Sequence, residues 1–215
     1  MTRLVTALIL IPLVVWLIFA APSWALIAAM VVVGLFALRE VVQIGRNVFV
    51  SLLAGVIYIG GAWLCAFKLR MVNPHWLLFA FLLCWVGDTA AFYVGKNFGR
   101  HRLAPKISPG KTWEGAVGSV AGGVLAGAIY AHFFIASEPL WIVLIIAALG
   151  NIAGQFGDLL ESAYKRWGGV KDSGSSLPGH GGWLDRIDSS LLSIPVVYGL
   201  IYLAVFAVGG WITYS

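Results

Sequence analysis

Charge is what this sequence has least of. Asp, Glu, Lys and Arg make up 11% of its 215 residues, against 60% hydrophobic residues. Soluble domains carry roughly 25% charged residues. A water-soluble fold of this length cannot hide that much apolar surface, so an integral membrane protein is implied. Long polar stretches are equally few. Seven spans of about 20 residues would use about two thirds of the chain and leave no room for a separate soluble domain. Cysteine is nearly absent: Cys65 and Cys84 both lie within apolar segments, with neither the setting of a structural disulfide nor metal-ligand spacing. Acidic residues are outnumbered, 9 against 14 basic, for a net charge of +5. In a soluble protein that excess would suggest nucleic acid. In a membrane chain it reads as basic cytoplasmic loops, with part of it available to an anionic substrate, so no nucleic-acid partner is expected.

What the sequence does have is apolar length. Segments at about 4–20, 23–42, 49–67, 76–95, 114–135, 139–161 and 189–212 each suit a membrane helix. The ten Trp and seven Tyr residues suit a chain with many interfacial crossings. The basic start and apolar run of the first segment resemble a signal peptide, but the run is long, Pro12 interrupts it and more spans follow. It is read as a retained first helix. Pro22 in AAPSW suggests a tight turn between the first two spans. Segment 114–135 carries Gly118, Gly122, Gly123 and Gly127, which allow close helix packing in lipid. With seven spans, all basic residues but Lys68 and Arg70, 12 of 14, fall on one side. That side is cytoplasmic, holding the N-terminus and both long polar loops. The expected fold is therefore an all-α integral membrane protein of about seven transmembrane helices. Residues 1–75 form its N-terminal helices and 76–215 a catalytic transmembrane domain.

Two polar units carry the chemistry. The first is Ser162–Asp188, SAYKRWGGVKDSGSSLPGHGGWLDRID, the longest run without an apolar block. Asp158, Glu161, Ser162 and Lys165 precede or open it at spacings that share one helical face if the sixth span continues. Asp185 and Asp188 share a face if a helix starts after Gly181-Gly182. Carboxylates are hard oxygen donors suited to magnesium, so the two acidic pairs could hold one or two divalent ions; alternatively they only neutralise Arg166 and Arg186. Lys165, Arg166, Lys171 and Arg186 add the positive charge that phosphoryl chemistry uses. His180 reads equally as a general base, a phosphate donor or a satisfied loop histidine. The second unit is the loop 95–115, GKNFGRHRLAPKISPGKTWEG, with Lys106, Ser108, Lys111 and Thr112 as candidate substrate contacts and Pro105 and Pro109 stiffening its path. Its GKT resembles the end of a nucleotide P-loop, but Pro105 stands where that motif needs Gly and no strand is expected before it, so that motif is rejected. Asp88, in LLCWVGDTAAFYVG, and Asp158 both sit near the cytoplasmic ends of spans, where a charge faces a wet cavity or the protein interior.

These residues resemble the signature of the phosphatidate cytidylyltransferases, or CDP-diacylglycerol synthases. The likeness runs through Ser162, Lys165-Arg166, Lys171-Asp172, Pro178, His180-Gly181-Gly182, Asp185-Arg186 and Asp188, with GDTAAFYVGKNFGRHRLAPKISPGKTWEG at 87–115 and GDLLES at 157–162, covering roughly 85–195. The resemblance implies a multi-pass enzyme of the bacterial inner (plasma) membrane with its site facing the cytoplasm. It implies CTP and phosphatidate as substrates and CDP-diacylglycerol and pyrophosphate as products. It implies Mg2+, optionally with a second, monovalent cation such as K+, and a homodimer. Matched residue by residue, Asp158 and Asp185 are implied as metal ligands, with Glu161 and Asp188 as further candidates. Asp158, Asp185, Lys165, Arg166, Lys171 and His180 are the catalytic candidates. Asp88, Lys106, Ser108, Lys111, Thr112, Ser162, Asp172 and Arg186 are the substrate-binding ones. Members of the family commonly carry about two more spans before the GDTAA segment, so dimerisation and lipid access are the properties this shorter chain puts in question. The rival readings are a related CTP-dependent lipid enzyme (a polyprenol kinase or CDP-archaeol synthase) and, remotely, a transporter. A transporter would place charges near the midplane of several spans, whereas here they gather at one face.

Overall fold

The structure is a computed structural model that describes residues 2–136, 138–174 and 181–207, with side chains from 9 to 204 within these. Among the described residues the chain forms seven helices and one small hairpin. The helices are α1 (Thr2–Phe19), α2 (Ser23–Ile44), α3 (Val48–Val72), α4 (Pro74–Phe98), α5 (Trp113–Phe134), α6 (Leu140–Trp167) and α7 (Leu184–Ala207). Helices α2 to α7 are long and apolar enough to cross a membrane, while the described apolar part of α1, Ile9–Phe19, is shorter. The chain is thus an all-helical, multi-pass membrane protein. Its outward faces are apolar, as at Phe49, Ile57, Leu125 and Phe133, which suits lipid as solvent.

Several helices run further than their apolar segments. Helix α3 continues past residue 67 through Arg70, whose guanidinium has work at that end of the bundle. Its Nε donates to the Ile18 carbonyl at 2.9 Å, one Nη to Ser23 Oγ at 3.1 Å and the other to the Ala21 carbonyl. These bonds satisfy the carbonyls left over at the α1–α2 turn, which falls at Pro22 as the sequence suggests. Helix α6 is 28 residues, about 42 Å at 1.5 Å per residue. That exceeds an apolar slab of about 30 Å, so the helix must tilt or extend beyond the slab. Helix α7 starts at Leu184 rather than near 189, because its free amides find acceptors (below).

The loop expected over 95–115 contains a hairpin. Strand β1 (Arg102–Ala104) pairs antiparallel with β2 (Ser108–Thr112). Ile107 N donates to the Ala104 carbonyl at 3.1 Å, which places Pro105 at the second position of the turn. Proline's fixed φ favours that position. Pro109 gives up no ladder bond that an edge strand needs, and its carbonyl accepts from Arg102 Nη1 at 2.8 Å.

The main core lies where α4, α6 and α7 meet, around Trp76, Phe79, Leu83, Val143, Ala147, Ile194 and Val197. A second cluster joins α2, α3 and α7 through Ala37, Val41, Ile59, Leu184 and Leu191. Helix α5 lies on α4 along its small residues. A Cβ at Gly118 would stand 2.7 Å from Val94, and one at Gly122 would stand 2.6 Å from Ala90. Gly118→Val is therefore expected to lower stability by about 1–3 kcal/mol through overpacking. Thermal unfolding of the purified variant checks this; an unchanged midpoint would mean the α4–α5 seam is looser than described.

Candidate active site at one end of the bundle

The end of α4, the hairpin, the start of α5, the end of α6 and the start of α7 converge at one end of the bundle. Among the described residues, two polar cavities open there. One, of about 540 Å³, lies between α4, the hairpin, α5 and α6 and is lined by Lys96, Arg102, Lys111, Thr112 and Gln155 among others. The second, of about 620 Å³, is lined by Glu161, Lys165, Asp172, Asp185, Arg186 and Asp188. Asp88 and Asp158 line both, so they form a shared wall.

The basic cavity is built by the hairpin. Thr112 closes β2 and caps α5, its Oγ1 accepting from Gly115 N at 3.1 Å. Lys111, one residue earlier, forms an ion pair with Asp158 and so ties the hairpin to α6. Behind them Asn151 fixes the packing of three helices. Its Nδ2 donates to the Leu83 carbonyl at 2.9 Å, and its Oδ1 accepts from Gln155 Nε2 at 2.8 Å and Ser119 Oγ at 3.3 Å. A short strand does precede the α5 helix, contrary to the sequence expectation. Yet Lys111 and Thr112 belong to that strand, so no P-loop cradle forms.

The second cavity is acidic. Among the described residues six carboxylates line it (Asp88, Asp158, Glu161, Asp172, Asp185 and Asp188) against two cations, Lys165 and Arg186. Lys165 is clamped between Glu161 Oε2 at 2.8 Å and Asp185 Oδ1 at 2.6 Å, and all three side chains are largely buried. The i,i+4 contact with Glu161 is an ion pair off the line of a directed hydrogen bond, and Glu161 Oε1 is buried without a hydrogen-bond partner among the described residues. Asp185, placed with the metal ligands by its sequence, spends both oxygens here. Oδ1 takes Lys165, and Oδ2 accepts from Gly182 N at 3.0 Å and Ser173 N at 3.2 Å. Gly181 adopts φ +80°, and a Cβ there would stand 2.7 Å from Asp185 Oδ2. Both the left-handed backbone and the close approach call for glycine.

Asp158, Glu161 and Asp188 each offer a carboxylate oxygen, these oxygens lying within 4.8 Å of one another. Magnesium takes hard oxygen donors at about 2.0–2.1 Å and keeps waters and substrate phosphates as its other ligands. Three carboxylates, one with an unsatisfied buried oxygen, in a cavity with four more acids than cations fit such an ion. Asp188 keeps one oxygen for this, since Oδ1 accepts from Ser189 N at 2.7 Å.

Of the other sequence candidates, Ser162 lies beside Asp158, its Oγ 3.4 Å from Oδ1. Arg166 is exposed and bonds the Ile107 and Val170 carbonyls at 3.2 and 3.0 Å, strapping the hairpin to the end of α6. Lys106, Ser108 and Lys171 line neither cavity. His180, with Pro178 and Gly179, lies outside the described residues. Sequence reasoning missed the cavity roles of Lys96, Arg102 and Gln155, and it missed Asn151 and Glu40. A carboxylate inside the second apolar segment is costly in lipid, and that cost was the available signal for Glu40.

The fold and the site together define a polytopic membrane protein with a basic and an acid-lined cavity side by side at one end. The chain belongs to the cytidylyltransferase family, whose model matches residues 49–204. Phosphatidate cytidylyltransferases of Staphylococcus saprophyticus and Staphylococcus haemolyticus are 42% and 40% identical to it over 145 residues. That of Staphylococcus aureus is 41% identical over the same length. Each alignment covers 67% of this chain and 56% of the relative, so the chain spans just over half the length of the curated relatives it matches.

Proposed function

We propose that this chain transfers the cytidylyl group of CTP to phosphatidate, giving CDP-diacylglycerol and pyrophosphate. The observation that carries this reading is the pair of cavities with the shared Asp88–Asp158 wall. The basic one suits a triphosphate and the acidic one suits a divalent cation beside it. The relatives named phosphatidate cytidylyltransferase support the same reaction. The acceptor side is amphiphilic. Arg186 lines the acidic chamber and also an apolar cavity of about 320 Å³ bounded by Leu10, Trp63, Trp85 and Trp183. A phosphate at Arg186 with acyl chains along that apolar wall describes a lipid monoester.

In this reading a non-bridging phosphate oxygen of phosphatidate attacks the α-phosphorus of CTP. A new P–O bond forms, the bond to the β-phosphate bridging oxygen breaks, and that oxygen leaves as part of pyrophosphate. A phosphate monoester is already an anion near neutral pH, so no strong general base is needed. Lys96, Arg102 and Lys111 hold the triphosphate by charge, phosphate taking the place of Asp158 at Lys111. Asp158, Glu161 and Asp188 would hold Mg2+, which would supply charge neutralisation to the leaving pyrophosphate. A monovalent cation such as K+ is proposed beside it, among the remaining acids. The hairpin end faces the cytoplasm by the basic-residue bias, in the plasma membrane as a multi-pass protein, and the assembly is a homodimer. CTP labelled at the α-phosphorus tests the reading in phosphatidate vesicles. Label is expected in a CDP-lipid with pyrophosphate released. Transfer of the γ-phosphate with release of CDP would replace it with a lipid kinase.

A further inference from the structure

We infer that Glu40, on α2, is a positioning residue for the acidic chamber: it fixes the first turn of α7 and thereby the placement of Asp185 and Asp188. Glu40 lies outside the residues matched to the family, 49–204, and it lines neither chamber cavity. It is 1% exposed. Its Oε1 accepts from Trp183 N at 3.1 Å, and its Oε2 accepts from Leu184 N at 2.9 Å and Ser173 Oγ at 2.9 Å. Leu184 opens α7, so two amides that the helix leaves without partners are satisfied by a carboxylate from a different helix. A negative group there also complements the positive end of the helix dipole.

The same carboxylate holds Ser173, whose backbone N–H donates to Asp185 Oδ2. Glu40 and Asp185 thus grip one loop residue from two sides, and Asp185 passes the placement on to Lys165. The approach is tight: a Cβ at Gly182 would stand 2.3 Å from Glu40 Oε2, and one at Gly174 would stand 2.9 Å from Oε1. A carboxylate presents only acceptors to these donors. In Glu40→Gln one oxygen becomes an NH₂ facing an N–H, so at least one of these bonds is lost and the grip is weakened at nearly constant volume.

The consequence for metal binding rests on the reading above, in which Asp188 is a ligand. The test uses the full chain in detergent, with Mn2+ as the spectroscopic probe. In metal-free protein, Glu40→Gln is expected to speed hydrogen exchange at the Trp183 and Leu184 amides about tenfold or more, leaving α4 and α5 protected. Its Mn2+ dissociation constant, read by paramagnetic resonance, is expected to rise about tenfold or more, as for loss of a group that orients a ligand. Ser173→Ala removes one donor and should move both readouts the same way by about threefold; it carries the test if Glu40→Gln is not recovered folded. Unchanged exchange at 183–184, or a lower unfolding midpoint with unchanged Mn2+ affinity in the folded fraction, overturns the inference. Wild-type protein that binds no Mn2+ instead refutes the metal reading, and the exchange measurement still decides Glu40's hold on α7.

Discussion

Asp158→Asn is expected to leave a folded protein whose CTP-dependent turnover is about 10³-fold lower, or ~4 kcal/mol of barrier. Asp158 is in the wall between the two cavities, it pairs with Lys111 of the hairpin, and it is one of three acids with oxygens within 4.8 Å of one another. The amide keeps the shape of the side chain but not its charge, and a neutral oxygen is a poor ligand for a hard divalent ion. Folding should tolerate the change, because the Asp158 and Lys111 side chains are 28% and 27% exposed, so water can solvate the lysine left behind. The variant therefore separates chemistry from stability. Thermal unfolding and turnover measured on one preparation check it, together with Mn2+ binding. Turnover within about tenfold of wild type would remove Asp158 from the metal set.

The membrane helices were legible because lipid imposes the simplest of rules: about 20 apolar residues with their backbone bonds satisfied internally. Their ends were not. Hydropathy stops at charge, whereas helices stop where their last carbonyls and amides lose partners. Arg70, Lys165 and Asp185 are charges that extend a helix, because each is paired by a group distant in sequence. The candidate site was legible at the level of segments. Spacing alone sets Asp158, Glu161, Ser162 and Lys165 on one face of a continued sixth helix, and the structure brings Asp158 and Glu161 together with Asp188. Which acid meets which partner was beyond spacing. Asp185 and Asp188 are one turn apart and chemically alike, yet one is turned to Lys165 and loop amides and the other to the open cluster. That division depends on the Gly181 turn and on the loop held by Glu40, and neither is encoded by periodicity. The hairpin was hidden for a similar reason. Its strands are three and five residues long and polar, so the alternation that marks a strand is too short to read.

Lys165→Met is expected to be destabilising as well as inactivating, and that combination sets it apart from Asp158→Asn. Its Nζ lies 2.6 Å from Asp185 and 2.8 Å from Glu161, with side-chain exposures of 11%, 13% and 5%. Removing the one cation that the described residues place between these two buried carboxylates leaves both uncompensated, which typically costs about 3–5 kcal/mol. Methionine fills the same volume, so packing contributes little to that loss. The repair follows from the same geometry. Lys165→Met combined with Asp185→Asn removes the charge left unpaired at the shorter contact and should recover part of the lost stability, a coupling of about 1–3 kcal/mol. Turnover should not recover with it, because the chamber has lost its buried cation. Unfolding midpoints across the four members of the cycle decide the matter. Additive effects, or a single variant as stable as wild type, would mean that solvent or another cation compensates the pair and that Lys165 is not the structural centre of the acidic chamber.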